Sequence, residues 1–298
     1  MKNTLPLNKR IKRFAARPDV YQAPVNAILK RLTWRLHWAV NTRPYLVSFE
    51  NNLKINLPQS GSASLIYYQG LSEPETADFV KQFLRPGMTF VDVGAHIGEY
   101  TLIAAKVVGV TGSVHAFEPQ SSLFPILTKN IEINGFEHVT LNQTAVSDRT
   151  GQIEFQVFDE SSVSSIRKKT ATDKKSNIVK VPTISLDEYL SSFNLRADLI
   201  KIDVEGAEKL VFQGAYQLLN LPKFQAPTWI FEYSPNSYQG FGYQASELLA
   251  LLTKSGYEVF TYLKSGEIGE FSLELHFPNI VNLIATKDRD ALMSRINL

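Results

Sequence analysis

Residues Val91 to Thr101 read VDVGAHIGEYT and place Gly94 and Gly98 four apart, directly after a short apolar run. A glycine turn of this kind brings backbone close to a ligand and points the free N–H groups of a helix start toward it. Twenty residues beyond Gly98, the segment HAFEP puts Glu118 at the end of the next apolar run. A carboxylate in that position can accept hydrogen bonds from both hydroxyls of a ribose. Either feature alone is commonplace, but Asp92, two glycines and Glu118 at this spacing point to a nucleoside ligand. The G-x-G-x-x-G fingerprint is missing, because Ala95 and His96 stand between the glycines. A ligand without a pyrophosphate is therefore favoured, and a nicotinamide oxidoreductase is disfavoured.

A third concentration of chemistry is KIDVEGAE, with Asp203, Glu205 and Glu208 at the end of another apolar run. Carboxylates placed there could take a proton from a substrate hydroxyl, and His96 is a fourth candidate base. Glu205 and Glu208 read equally well as acids favoured at a helix N-terminus by the macrodipole. The five histidines show no H-E-x-x-H spacing and the chain has no cysteine, so no zinc site or thiolate nucleophile is expected.

The elements around these residues alternate. Short apolar runs at 88–93, 113–117, 139–143, 199–204, 228–233, 258–263 and 280–285 read as strands, and 74–84, 100–108, 121–133, 206–219 and 246–255 read as helices. Strands separated by helices imply a doubly wound, mostly parallel α/β sheet. An insertion with strands at 152–158 and 179–183 flanks a Ser, Thr and Lys-rich stretch, Glu160 to Asn177, expected to be a mobile loop. Upstream, residues 45–70 alternate as a hairpin turning near Pro58 to Ser62. Val25, Ile28, Leu29, Leu32, Leu36 and Ala39 mark a helix over 24–40 whose aliphatic stripe should pack inward, leaving Trp34, Trp38, Arg31 and Arg35 outward. That aromatic and cationic face suggests a solvated surface, or contact with a membrane surface or protein partner.

The full chain has 298 residues, 44% of them apolar, and a formal net charge of +2. Residues 1–50 hold ten Lys/Arg against Asp19 and Glu50, so the remainder is mildly acidic. No basic stripe with interleaved aromatics appears in that body, which argues against a nucleic-acid partner. No run approaches the length needed to span a bilayer, no secretory h-region is visible, and the chain reads as cytoplasmic.

The motifs VDVGAHIGEYTL at 91–102, VHAFEP at 114–119, AVSD at 145–148, TISLDEYL at 183–190 and DLIKIDVEGAEKLVFQGA at 198–215 give the chain a resemblance to FkbM-type S-adenosylmethionine-dependent methyltransferases over about residues 75–286. Asn130 and the Asn134-Gly135 pair also match. Two positions depart from the family's usual pattern, His96 in place of Asn and Glu99 in place of an aromatic. The resemblance implies a Rossmann-like class I methyltransferase fold with a final antiparallel strand, residues 74–298 forming the catalytic domain and 1–73 a basic helix and hairpin extension. It implies S-adenosylmethionine as cofactor, its methionyl end near Asp92, Gly94, His96 and Gly98, its ribose on Glu118 and its adenine near Ala145, Val146 and Asp148. It also implies a hydroxyl acceptor, on a saccharide or secondary metabolite, with Asp203, Glu205, Glu208 or His96 as base. An amine acceptor and a noncatalytic nucleoside-binding or membrane-associated scaffold are the alternatives. A divalent cation held by Asp203 and its neighbours is a further alternative, with the metal-free version preferred because hard cations want more oxygen ligands than this segment offers.

Overall fold

The computed structural model describes residues 17–158, 176–263, 266–272 and 280–296. The chain divides into two compact units, residues 1–72 and 73–298.

In the first unit, α1 (Pro18–Gln22) and α2 (Pro24–Val40) each begin with proline, whose fixed φ and missing N–H suit the first helical turn. Strands β1 (Tyr45–Phe49) and β2 (Leu53–Leu57) then pair antiparallel from Tyr45↔Leu57 to Phe49↔Leu53. Asn51 and Asn52 take positive φ in the turn, a conformation asparagine tolerates better than most residues. Helix α3 (Gly61–Gln69) follows, capped by the Ser60 hydroxyl. The hairpin expected to continue to residue 70 therefore ends at Leu57, and Leu65 and Tyr67 are helical.

Helix α2 turns the aliphatic stripe outward and Trp34 inward, against expectation, while Arg35 is exposed as expected. Trp34 is 8% exposed, whereas Val25, Ile28, Leu29, Leu32, Leu36 and Val40 are 48–79% exposed. Trp34 sits among Trp38, Tyr45, Tyr67 and Tyr68, with ring centroids 5.3–6.4 Å apart. The Arg31 guanidinium lies 4.5 Å from the Tyr68 ring centre and 2.7 Å from Asp19. The hairpin and α3 offer aromatic rings to the helix, and an indole buries more apolar area against them than a leucine would.

The second unit is built on one sheet. Its strands are β3 (Thr89–Val93), β4 (Ser113–Phe117), β5 (Val139–Asn142), β9 (Leu199–Ile202), β10 (Thr228–Tyr233), β11 (Glu258–Tyr262), β12 (Ile268–Glu270) and β13 (Val281–Thr286), in the order β12-β11-β13-β10-β9-β3-β4-β5. The contacts from β10 through β9, β3 and β4 to β5 are parallel, while β13 runs antiparallel between β10 and β11. The expected final antiparallel strand is present, inserted inside the sheet. A separate three-stranded sheet joins β6 (Ala145–Val146), β8 (Ser176–Ile184) and β7 (Gly151–Phe158). The expected mobile loop falls outside the described residues, except that Ser176 and Asn177 belong to β8.

Side-chain alternation gives the two sheet faces different jobs. Val91, Val93, Ile200, Ile202, Trp229 and Phe231 join one apolar core under α7 (Leu186–Ser192), α8 (Glu208–Gln213) and α11 (Ala245–Lys254). The other parity carries Asp92, Lys201, Asp203 and Glu232, facing α4 (Pro74–Phe83) and α5 (Glu99–Val108). The helix expected over 206–219 is broken at Gly214, and α9 (Tyr216–Leu219) continues after it. A Cβ at Gly214 would stand 2.0 Å from the Ser147 carbonyl, so the chain can pass there only as glycine.

Candidate active site

Because β5, β4, β3, β9 and β10 are parallel, their C-terminal ends share one edge, and the segments singled out by sequence meet there. Gly94 (φ 85°) leaves β3, and its N–H and that of Ala95 both donate to the Phe117 carbonyl at the end of β4. A Cβ on Gly94 would lie 1.9 Å from the Asp203 carbonyl oxygen, so this position requires glycine for close approach as well as for φ. His96 also has positive φ (53°), which explains the substitution: histidine, like asparagine, is enriched in the left-handed region. Gly98 (φ 90°) opens α5 without a capping side chain.

Glu118 is buried and accepts the His96 N–H at 2.9 Å on Oε2 and the Gln120 N–H at 2.8 Å on Oε1. Burial pushes its carboxyl up to about 8, although the two amide donors oppose this. Each oxygen keeps a lone pair for another donor. Asp92 accepts the Thr101 hydroxyl at 2.6 Å on Oδ2, while Oδ1 is buried without a hydrogen-bond partner. Burial raises the Asp92 pKa and Lys201 opposes the rise. The His96 ring is buried with Nε2 unpartnered, and burial lowers its pKa to about 4, so it is neutral at pH 7.

Lys201, which sequence reasoning passed over, organises the site. It pairs in register with Asp92 on the adjacent strand, is 1% exposed, donates to Asp203 Oδ2 at 3.0 Å and lies 4.5 Å from the Tyr100 ring centre. Burial opposes its charge, but Asp203, Asp92 and Glu73 outweigh burial and hold its pKa above the ordinary lysine value. The Tyr100 hydroxyl in turn donates to Glu73, which also accepts from Asn282. Glu232, at the end of β10, was missed too. It is buried with Oε2 unpartnered, and burial together with Asp203, Glu208 and Glu205 pushes it up to about 10. A lysine in the run LIKI and a glutamate in TWIFEY were the signals, since buried strands seldom carry a charge without a partner.

The KIDVEGAE carboxylates diverge in their surroundings. Glu208 is fully buried at the start of α8, and its Oε1 accepts the Val204 and Gly206 N–H groups, tying its own loop. Burial raises it to about 7. Glu205 is half-buried, has a left-handed backbone (φ 55°), and is pushed up to about 8 by burial and by the charges of Asp203 and Glu208. The AVSD segment follows β5 and supplies β6 of the three-stranded sheet. Val146 packs into the main core and Ala145 against Phe155 and Val181, so Asp148 alone of the three presents a partly exposed polar side chain. No group of three or more metal-ligating side chains occurs among the described residues.

A sheet of this order, with acids ending two adjacent parallel strands, is a Rossmann-like doubly wound sheet whose ligand edge lies at the C-terminal ends of those strands. The methyltransferase FkbM domain matches residues 92–259, more than half of the chain. The chain belongs to the FkbM methyltransferase family. Curated proteins yield no match to it. Solved structures similar to it include an rRNA methylase from Streptococcus thermophilus, with 12% identity, 71% of this chain and 93% of that one covered, and a TM-score of 0.41. An O-methyltransferase from Bacillus cereus in complex with SAH matches at 14% identity over 72% and 80% of the two chains, with a TM-score of 0.41. A Thermotoga maritima SAM-dependent O-methyltransferase matches at 12% identity over 83% and 79%, with a TM-score of 0.38.

Proposed function

We propose that this chain methylates a hydroxyl group of a small molecule or saccharide, with Glu205 as the general base. The observation that carries the reading is the convergence of Asp203, Glu205, Glu208 and Glu232 on the sheet edge where Gly94 leaves β3. S-adenosylmethionine supplies, when bound, a methyl group on a sulfonium that an oxygen nucleophile can displace. The residues present fit it: Asp92 Oδ1 and His96 Nε2 are buried polar atoms without a protein partner, and Glu118 retains lone pairs for ribose hydroxyls. Asp148 and the backbone beside Ala145 and Val146 are the proposed adenine contacts.

Glu205 suits the base role for three reasons. It is half-buried and so reachable, its carboxylate is not engaged by its own loop as that of Glu208 is, and its pKa of about 8 lies near working pH. Asp203 is held by Lys201 and acts on Glu205 through its charge. His96, neutral, enclosed and with Nε2 unpartnered, is better placed to hydrogen-bond the cofactor than to act as a base. An amine acceptor is the second reading, favoured by the surplus of carboxylates over Lys201 at this edge. Transfer of a ¹³C-methyl group from S-adenosylmethionine to fractionated cell extract separates the two, since a methyl ether and a methylamine differ in carbon chemical shift. A labelled ether supports the proposal, and labelled amines alone would overturn it.

The ribose role of Glu118 has its own signature. Hydroxyl donors favour the ionised carboxylate, so ligand binding should pull its pKa below the free value of about 8 and release a proton at neutral pH. S-adenosylhomocysteine affinity is therefore expected to rise from pH 6.5 to 8.5 in the wild type. Glu118→Gln should bind about tenfold or more weakly at the upper pH and lose that component of the slope, because hydrogen bonds to a charged acceptor are worth about 1.5–3 kcal/mol each. Calorimetry giving equal affinities for the two proteins at pH 8.5 would remove Glu118 from the site.

A further inference from the structure

We propose that the first unit docks the protein onto an anionic lipid bilayer surface through the exposed aliphatic stripe of α2. Val25, Leu29, Leu32, Leu36 and Val40 recur at helical spacing with Ile28 beside them, all on the side opposite Trp34, and Leu36 and Val40 are 63% and 79% exposed. Aliphatic side chains set in such a line are costly to leave in water, and the stripe runs about 22 Å along a 17-residue helix. The opposite face of α2 is already satisfied by rings from Tyr45, Tyr67 and Tyr68, so the stripe is not turned outward for want of an inward face.

Charge selects the occupant. Helix α2 contains no Asp or Glu, Arg35 beside the stripe is exposed, and Arg17 and Arg43 near its two ends are exposed as well. Five further Lys/Arg precede Arg17 in the sequence, and residues 1–50 contain only Asp19 and Glu50 as acids. Asp19 is taken up by Arg31 at 2.7 Å. A second copy of the same face would bring like charges together, whereas anionic head groups would meet cations flanking an apolar strip. Such a helix lies in the interfacial plane, with its aliphatic side chains below the head groups and Arg35 among them.

The test is co-sedimentation of the full-length protein with vesicles of phosphatidylcholine alone or with 30% phosphatidylserine added. The expected result is binding to the anionic vesicles that weakens between about 0.1 and 0.5 M salt, as screening of surface charge requires. The double substitution L32D/L36D should lower the partition coefficient about tenfold or more while leaving S-adenosylhomocysteine affinity unchanged, which shows that the second unit is intact. Both positions are exposed, and a circular dichroism spectrum matching that of the wild type confirms that the first unit keeps its helices. Wild-type binding equal on both vesicle types, or absent from both, would overturn the proposal. A dimer by light scattering that the double substitution dissociates, without anionic vesicle binding, would assign the stripe to self-association instead.

Discussion

Lys201→Met is expected to cost about 3 kcal/mol at pH 7, because removing one member of a buried ion pair leaves its partners uncompensated. Two carboxylates depend on this ammonium: Asp203, which accepts a hydrogen bond from it at 3.0 Å, and Asp92, its neighbour in register on β3. Asp203 is partly hydrated and can turn toward water, so most of the cost falls on the fully buried Asp92. The loss should depend on pH with a definite sign. Without Lys201 the folded-state pKa of Asp92 rises further above its unfolded value, so the folded state holds the proton more tightly. Stability is then retained at low pH and lost as pH climbs above the ordinary carboxylate range, making the deficit smaller near pH 4 than at pH 7. Denaturant titrations of both proteins across that range check this, and thermal melts at pH 7 should show a fall in melting temperature of roughly 5–10 °C. A variant as stable as wild type at neutral pH would mean that Lys201 does not hold the site together.

The largest expected effect on turnover comes from Glu205→Gln. An alcohol attacking a methyl group must lose its proton, and a positioned base contributes roughly 10²- to 10⁴-fold. We expect kcat to fall at least about 10²-fold, with S-adenosylhomocysteine affinity within a few fold of wild type. Gln keeps the shape and faces the same backbone demand at φ 55°, so the comparison isolates the charge. A second readout follows from electrostatics. The acid limb of the wild-type rate profile should centre near pH 8, where Glu205 ionises. Asp203→Asn removes a negative charge that raises Glu205 and should move this limb to lower pH. An unchanged limb in Asp203→Asn, or full turnover in Glu205→Gln, would take the base role away from Glu205. The assay uses whichever acceptor the labelled-methyl experiment identifies.

These expectations lean on residues of two kinds. Asp92, Gly94, Glu118 and Asp203 were legible as a set because each lies at or beside the end of a short apolar run, and a parallel sheet delivers all such ends to one edge. Lys201 and Glu232 were in view but unread, since a charge inside a strand acquires meaning only when the neighbouring strand is known. The register Asp92↔Lys201 belongs to β3 and β9, more than a hundred residues apart in the chain. The division of labour within KIDVEGAE was equally hidden. Only the folded loop reveals that Glu208, and not Glu205, ties down the Val204 and Gly206 amides.

Local chemistry in the sequence determined the alternation of strands and helices, the glycines at Gly94 and Gly98, and the class of ligand, because period, turn and strand-end position act over a few residues. Tertiary structure decided the position of β13 between β10 and β11, the break of the helix at Gly214 where the Ser147 carbonyl leaves no room for a Cβ, and the inward face of α2. Helical periodicity groups Val25, Leu29, Leu32 and Leu36 on one side and Trp34 and Arg31 on the other, but it carries no information about which side meets a partner. Tyr45, Tyr67 and Tyr68 made that choice, because aromatic rings and a guanidinium pack against rings more extensively than aliphatic chains do.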